Sequence, residues 1–318
     1  MTQPRFQHTV STAKKALFAF KIISAIILFV FLYRYALSKN VLEHIQAIHY
    51  HWLAFGVLLT IPIVALRAKR WSLIVAENGV AMTYKSLFNV YVPSFTLGLI
   101  TPGRAGEVIR CKHLYDNGMA VKTSLLTLVF DRLFDIVPTI FISTLFSFYV
   151  IDKNVDADTR QWLLIIAGAT VAICLSALGI SLWRRRKQTK SDAQGFRYSF
   201  ALFYKCALLS ITSIFISALQ VYFFASSVEL KTSPFESFGF ASLSAFVSQL
   251  PVGIGGIGSR DLILVYLLEQ AGNPTETAFL FAQTFNITFV CLILMGLLLS
   301  MIINRHIFNA FRQNSANA

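Results

Sequence analysis

Eight charged side chains lie within or next to long apolar stretches of the sequence, where isolated charges are rare. They are four arginines and four carboxylates: Arg104, Glu107, Arg110, Asp131, Arg132, Asp135, Arg260 and Asp261. The planar guanidinium group of arginine binds phosphate through two parallel hydrogen bonds, and neighbouring carboxylates keep arginines paired while no ligand is bound. These residue types indicate a mostly charge-compensated polar cavity for an anionic group. The alternative interpretation is a set of structural salt bridges that lock helices together.

The spacing of these residues predicts local ion pairs. Asp131 and Asp135 are four residues apart, so they share one face of a helix. Arg132 can reach Asp135 at a spacing of three, and Glu107 and Arg110 have the same spacing. The carboxylates are also able to carry a proton that is coupled to ligand movement.

The composition shows which elements must position these charges. Of the 318 residues, 56% are hydrophobic and 14% are charged, and the mean hydropathy is +0.63. Soluble domains carry about 25% charged residues, so this chain lacks the polar residues to cover a surface in water. The composition excludes a soluble enzyme, a disordered chain and a secreted disulfide scaffold, and it favours an all-α polytopic membrane protein.

The net charge of +13 fits the same class. The basic residues stand at the ends of apolar runs and are not interleaved with aromatic residues, so no nucleic-acid partner is expected. In a membrane protein, such residues mark cytoplasmic loops and attract anionic lipid. We therefore expect anionic membrane lipids as partners.

Eight apolar runs approach or exceed the length of about 20 residues that a helix needs to span a bilayer. They cover residues 17–37, 51–66, 86–102, 122–150, 161–182, 201–228, 237–268 and 276–303. A further segment, 41–50, has its apolar residues on one helical face and is typical of a short helix at the membrane interface.

Proline and glycine interrupt two of these runs. The first break contains Pro102, Gly103 and Gly106, and the second contains Pro251, Gly253, Gly255, Gly256 and Gly258. Proline removes a backbone donor and clustered glycines weaken a helix, and backbone groups freed at membrane depth must be buried in protein or line a wet cavity. Both runs are therefore predicted to be re-entrant, broken helices, with the breaks as hinges and their amides as additional ligand donors.

The distribution of basic residues orients these segments. The positive-inside rule is best satisfied if run 86–102 enters and leaves on the cytoplasmic side and run 237–268 on the outer side. This arrangement gives six full spans, two oppositely inserted re-entrant helices and an inverted repeat, which is typical of transporters. Arg67, Lys69, Arg70 and Lys85 then belong to a cytoplasmic part of the chain.

The whole chain, 1–318, is predicted to be one integral domain of the inner membrane with both termini in the cytoplasm. Its cytoplasmic ends are an N-terminal segment, 1–16, and a tail, 304–318. No metal or cofactor is expected, because the cysteines and histidines lack the spacing of metal ligands. No enzymatic activity is expected either, since no ordered Ser/His or His/Asp set faces a membrane cavity.

Three motifs follow one another along the chain. The first is Leu99-x-x-Pro102-Gly103-x-x-Gly106-Glu107-x-x-Arg110, the second is Asp131-Arg132 with Asp135, and the third is Pro251-x-x-x-Gly255-Gly256-x-Gly258-x-Arg260-Asp261. Together they resemble the flippase-like membrane family that includes the transmembrane half of lysylphosphatidylglycerol synthases, over about residues 15–305. At two positions this chain has Asp where the family usually has Glu, which keeps the charge and shortens its reach.

The resemblance implies translocation of a lipid between leaflets, with aminoacylated phosphatidylglycerol as the best-known cargo and polyprenyl-linked sugars as the cargo of similar members. No aminoacyl-transferase domain follows the last run before Ala318, so we expect no lipid lysylation by this chain alone. We expect a flippase or scramblase for an anionic lipid with a phospholipid or polyprenyl-phosphate headgroup. The alternative is a non-transporting scaffold that binds a glycosyltransferase or a lipid-modifying enzyme. A homodimer is compatible with both.

Overall fold

The computed structural model describes residues 47–154, residue 168, and residues 196–248 and 256–316. Every regular element within these residues is a helix, in agreement with the predicted all-α class. Several predicted features lie outside the described residues: the N-terminal segment 1–16, the span 17–37, the span 161–182 except residue 168, most of segment 41–50, and the hinge residues Pro251, Gly253 and Gly255.

Nine α-helices make up the described part of the chain. They are α1 (Tyr50–Leu58), α2 (Thr60–Glu77), α3 (Tyr84–Ile100), α4 (Val108–Asp116), α5 (Val121–Asn154), α6 (Phe200–Ser227), α7 (Pro234–Val247), α8 (Ser259–Gln270) and α9 (Thr275–Ala316). A 3-10 helix, Pro102–Glu107, connects α3 to α4.

Three helical segments of the described residues are long and apolar enough to cross a membrane: Tyr50–Glu77, Phe200–Ser227 and Thr275–Met301. Large apolar side chains are exposed on them, among them Phe55, Phe215 and Leu298. Exposed apolar surface of this kind is typical of a membrane-facing protein. The described helices therefore belong to a multi-pass membrane protein.

The two runs that contain proline and glycine are broken helices, as predicted. α3 ends at Ile100 and α4 begins at Val108, while α7 ends at Val247 and α8 begins at Ser259. Hydrogen bonds hold the first break, since the Gly106 N–H donates to Thr101 Oγ1 (2.7 Å) and the Thr101 hydroxyl donates to the Leu97 carbonyl (2.7 Å). A Cβ at Gly106 would lie 2.5 Å from the Leu97 carbonyl carbon, so this close approach requires glycine.

The order of elements in the first half recurs in the second half. Helices α2 to α5 and helices α6 to α9 each consist of a long helix, a six-residue link, a shorter helix, the break, a short helix, a four-residue link and a final long helix. The links match in detail, because Thr83 and Ser233 cap the helix after the first link, and Gly118 and Gly272 have positive φ in the second link. The two halves therefore share one local architecture.

The two halves are interleaved, because the last helix of each half packs against the other half. Helix α5 lies against α7, α9 lies against α3, and the long helices α2 and α6 pack together. One apolar core, which includes Trp71 and Tyr91, forms mainly between α2, α3 and α9. A second core, which includes Phe224 and Phe281, forms mainly between α6, α7, α8 and α9.

Helix α2 is longer than its apolar run predicted. The apolar run ends at residue 66, but α2 continues to Glu77, so Arg67, Lys69 and Arg70 belong to the same helix as the run. Hydropathy falls where the charges begin, whereas the helix ends only next to Gly79, whose φ of +89° favours glycine. Helix α9 likewise continues to Ala316, through most of the predicted tail 304–318.

Candidate functional site

Five arginines and three carboxylates from α2, the 3-10 helix, α4 and α5 form a network of ion pairs, here called the Arg-rich cluster. Its members are Arg67, Arg70, Arg104, Glu107, Arg110, Asp131, Arg132 and Asp135. The structure thus brings together six of the eight charged residues that the sequence singles out. The predicted pairs Glu107–Arg110 and Arg132–Asp135 are confirmed, at 2.7 Å and 3.1 Å.

Arg70 connects three helices within this cluster. Its Nε donates to Asp131 Oδ1 and one Nη donates to Asp135 Oδ1, both at 2.8 Å, while the other Nη donates to the Ser210 hydroxyl on α6 (2.8 Å). A single guanidinium can bind both carboxylates because Asp131 and Asp135 are about one turn apart on α5. With 1% of its surface exposed, Arg70 ties α2 to α5 and α6 from the interior.

Glu107, at the end of the 3-10 helix, is the second centre of the cluster. Its carboxylate is paired with Arg110 (2.7 Å), Arg104 (3.3 Å) and Arg132. Gly98 on α3 leaves room for it, because a Cβ there would lie 2.5 Å from Glu107 Cγ. The break after α3 therefore returns a carboxylate to the protein interior, where three arginines surround it.

Arg110 is fully buried and links these two centres. It donates to Glu107 Oε2 (2.7 Å) and to Asp131 Oδ2 (3.3 Å). Its guanidinium carbon lies 4.6 Å from the centroid of the Tyr91 ring and 5.3 Å from that of Trp71. Aromatic faces stabilise a cation that has lost contact with water, so the apolar core of α2 and α3 supports this charge.

The Arg-rich cluster is not neutral. Its five guanidinium groups and three carboxylates give a net charge of +2, whereas the sequence predicts a mostly compensated set. Arg67 and Arg70 cause the difference, since they follow the apolar run 51–66 and the sequence does not place them with the eight charged residues. Unbalanced charge away from water is costly, and a bound anion would reduce that cost.

Besides one Nη of Arg132, which is ion-paired with Glu107, three donors of the cluster have no hydrogen-bond partner among the described residues. They are the Nε–H groups of Arg67, Arg110 and Arg132. Arg67 Nε lies 3.7 Å from Asp135 Oδ1, which permits ion pairing but is too long for a hydrogen bond. The side chains of Arg67 and Arg104, 22% and 23% exposed, are the most accessible of the five. The cluster can therefore offer guanidinium donors to an incoming anion.

Arg260 and Asp261, at the start of α8, form a second group with Asn286 on α9, here called the Asp261 cluster. Arg260 donates to Asp261 Oδ1 (2.8 Å) and to Asn286 Oδ1, and the Asn286 amide donates to Asp261 Oδ2 (2.9 Å). Asp261 Oδ2 also accepts a hydrogen bond from the Gly258 N–H (3.1 Å). This group is charge-balanced and fixes the first turn of α8.

The sequence suggests that Arg260 approaches the carboxylates of α5, and the structure shows no such direct contact among the described residues. Arg260 pairs with Asp261 and Asn286 because they lie on its own helix and on the adjacent α9. The two clusters instead border the same space, since Arg67 and Arg260 both line a cavity of about 160 Å³ between the halves.

The predicted hinge residues within the described part have defined conformations. Pro102 is the first residue of the 3-10 helix and Gly103 is the second, and Gly106 packs on the backbone of α3. Gly256 and Gly258 both have a φ of +88°, a region that favours glycine. The backbone explains the glycines at 106, 256 and 258, and hinge motion stays a prediction.

Sequence reasoning missed Arg67, Arg70 and Asn286 as site residues. A signal exists for the two arginines, since they are three residues apart and follow an apolar run directly, which places them on one helix face. Asn286 has no such signal, because a single amide in an apolar run does not indicate which side of the helix faces other polar groups.

Comparison with known proteins identifies one related family. Residues 17–296 match the family model described as the lysylphosphatidylglycerol synthase TM region. The match spans most of the chain and includes both clusters. No curated protein sequence matches the chain.

Proposed function

Because the chain belongs to the lysylphosphatidylglycerol synthase TM region family, we propose that it is a flippase or scramblase that moves an anionic lipid between the leaflets of the inner membrane. The family places the protein in membrane lipid biology. The charge of the cargo is inferred from this chain's own residues. The cargo is a lipid with a phospholipid or polyprenyl-phosphate headgroup, and the chain acts on it without an enzymatic step.

The surplus charge of the Arg-rich cluster carries this proposal. A charge near the centre of a bilayer costs at least about 2.5–3.5 kcal/mol on insertion scales, so a purely structural network would be expected to be neutral. This cluster has a net charge of +2, and three of its Nε–H groups have no hydrogen-bond partner among the described residues. A phosphate group would supply both the missing charge and the missing acceptors.

Each part of the cluster has a role in the proposed passage. Arg104 and Arg67, the most accessible arginines of the cluster, meet the phosphate first. Arg132 lies deeper and offers an Nε–H that has no hydrogen-bond partner among the described residues. Glu107 and Asp131 hold the guanidinium groups in orientation and keep them paired after the lipid has left. The acyl chains remain in the bilayer beside the exposed apolar faces, because only the headgroup needs a polar path.

The proposal includes an inverted repeat with six full spans, two re-entrant broken helices that enter from opposite sides, and both termini in the cytoplasm. The recurrence of α2 to α5 in α6 to α9 and the exchange of α5 and α9 between the halves support it. A reporter that is fluorescent only in the cytoplasm should be active when fused to either terminus. Activity of a periplasmic reporter at either end would contradict the orientation.

Lipid transport can be tested in phosphatidylcholine vesicles that contain the purified protein and a trace of phosphatidylglycerol labelled on an acyl chain. A membrane-impermeant reductant bleaches the label of the outer leaflet, and bleaching beyond that fraction reports translocation. The wild-type chain should give this additional bleaching. Arg132→Gln removes one charge and should slow translocation at least about tenfold, because a charge-assisted hydrogen bond to phosphate is lost.

The matched control is Lys112→Gln, which removes a charge from an exposed ion pair outside the cluster and should leave transport unchanged. Thermal unfolding of each variant in detergent shows whether it is folded. Absence of transport by the folded wild-type chain would contradict the proposal and favour a scaffold for a lipid-modifying enzyme. Equal transport by wild type and folded Arg132→Gln would contradict the assigned site.

A further inference from the structure

The cavity between the two halves is lined by two arginines, by hydroxyl groups and by apolar side chains. Arg67 of α2 and Arg260 at the start of α8 border it from different halves, and Phe95 and Phe285 are among its apolar walls. No carboxylate is among the described residues that line it. The charged groups on its surface are therefore two cations, since the carboxylates that pair with them, Asp135 and Asp261, are not part of the lining.

The remaining polar groups of the cavity are hydroxyls and one amide. Three of the hydroxyls each donate a hydrogen bond to the backbone carbonyl four residues earlier in the chain: Ser217 (2.8 Å), Ser248 (2.6 Å) and Thr288 (3.1 Å). A hydroxyl that has donated its hydrogen still has lone pairs that accept hydrogen bonds. These three side chains therefore present acceptors to the cavity.

Ser244 adds an observation that points to a ligand. The residue is 4% exposed, lines the cavity, and its Oγ has no hydrogen-bond partner among the described residues. The Nε–H of Arg67 is also without a hydrogen-bond partner there. A buried polar group without a partner is unfavourable, so both groups are free to bind a polar ligand that enters the cavity.

We propose that this cavity binds the headgroup of the cargo and selects a phosphodiester that carries a neutral polyol, such as glycerol or a sugar-like ring, over a headgroup with an ammonium group. The two guanidinium groups bind the phosphate, and the hydroxyl acceptors bind the hydroxyl groups of the polyol. An aminoacyl headgroup would bring a positive charge next to Arg67 and Arg260 with no lining carboxylate to balance it. This inference rests on the proposed function and specifies the cargo.

The experiment compares headgroups in the same vesicles. Acyl-labelled phosphatidylglycerol, phosphatidylinositol and lysylphosphatidylglycerol are each reconstituted as a trace in phosphatidylcholine vesicles with the wild-type chain. Phosphatidylglycerol and phosphatidylinositol distinguish a glycerol from a ring polyol. We expect at least one of them to cross about tenfold faster than lysylphosphatidylglycerol, because a like charge near two arginines disfavours the ammonium headgroup.

Two variants assign the preference to this cavity. Arg67→Gln should reduce the preference for the polyol lipid several-fold, whereas Lys69→Gln, which removes a charge from an exposed position on the same helix, should not change it. Ser244→Ala should reduce the preference for phosphatidylglycerol over phosphatidic acid, which lacks the polyol. The control for it is Ser237→Ala, a buried serine on α7 whose hydroxyl donates to the Ser233 carbonyl outside the cavity.

A binding measurement separates this inference from the proposed function. Native mass spectrometry of the detergent-solubilised chain with phosphatidylglycerol or lysylphosphatidylglycerol reports affinity without transport. Preferential binding of phosphatidylglycerol that is lost in Arg67→Gln supports the inference, even if no lipid crosses the membrane. The absence of lipid transport would contradict only the flippase. Equal or stronger binding and transport of lysylphosphatidylglycerol would overturn the inference and leave the flippase intact.

Discussion

The Arg-rich cluster and the Asp261 cluster occupy equivalent positions in the two halves. Glu107 and Asp261 each lie nine residues before the last residue of the short helix, α4 or α8. In both halves the carboxylate is bound by a side chain 25 residues further along the chain, Arg132 in the first and Asn286 in the second. One carboxylate at the break and one donor on the following long helix are therefore the arrangement that both halves share.

Beyond this shared pair, the halves differ in charge. The positions equivalent to Asp131 and Asp135 of α5 are Phe285 and Phe289 of α9, and the position equivalent to Arg70 of α2 is Gln220 of α6. The second half folds into the same elements without these charges. The common architecture therefore does not require these charges, because the second half forms it without them. This difference between the halves favours a role of the charges in binding the cargo.

The two halves also differ in the residue type at one position with positive φ, which is Arg104 in the first half. It lies at the position equivalent to Gly258, and both residues have positive φ, +56° and +88°. Glycine adopts this region freely, whereas another residue is strained there by about 1–2 kcal/mol. The first half thus has a strained arginine where the second half has an unstrained glycine, which indicates that its guanidinium group is needed.

The largest effect is expected from Asp131→Ala. The change removes one acceptor from each of Arg70 and Arg110 and raises the net charge of the Arg-rich cluster from +2 to +3. Loss of one partner from a buried ion pair costs about 3–5 kcal/mol, so the free energy of unfolding in detergent should fall by that amount. Asp116→Ala breaks the exposed pair with Lys112 and should change it by under about 1 kcal/mol. Similar effects of the two variants would show that Asp131 is not a central partner.

A smaller effect is expected in the second half from Asn286→Ala. Asp261 Oδ2 loses one of its two described donors and Arg260 loses one acceptor. A buried group left without a partner costs about 1–3 kcal/mol, and no net charge is created. Equilibrium unfolding in detergent should therefore rank this variant between wild type and Asp131→Ala. A larger loss than that of Asp131→Ala would reverse the comparison between the clusters.

The smallest effect on stability is expected from Arg104→Gly, which converts the first half to the residue of the second. Relief of the positive φ offsets the loss of a partly exposed ion pair with Glu107, so the free energy of unfolding should change by under about 1 kcal/mol. Transport of phosphatidylglycerol should nevertheless fall, because the cluster loses one of its two most accessible cations. Unchanged transport would show that the strain at Arg104 has another cause.

Several features of the site follow from local sequence. The pairs Glu107–Arg110 and Arg132–Asp135 are found because a spacing of three fixes the distance between side chains on a helix. The two broken helices are found because proline and clustered glycines act on the backbone within a few residues. Arg70 is not found in this way, because it lies beyond the apolar run that ends at residue 66. Its partners, Asp131 and Asp135, are on a different helix, α5, and local spacing does not reveal them.

The sequence by itself determined the membrane class, the helical content of the described part, the positions of the two breaks and the ion pairs within one turn, because composition and short-range spacing control these properties. Only the tertiary structure decided which charges meet, that the Arg-rich cluster carries a net charge of +2, and that Arg67 and Arg260 border one cavity. The reason is that charge balance depends on distances between helices, and the packing of four separate segments fixes those distances.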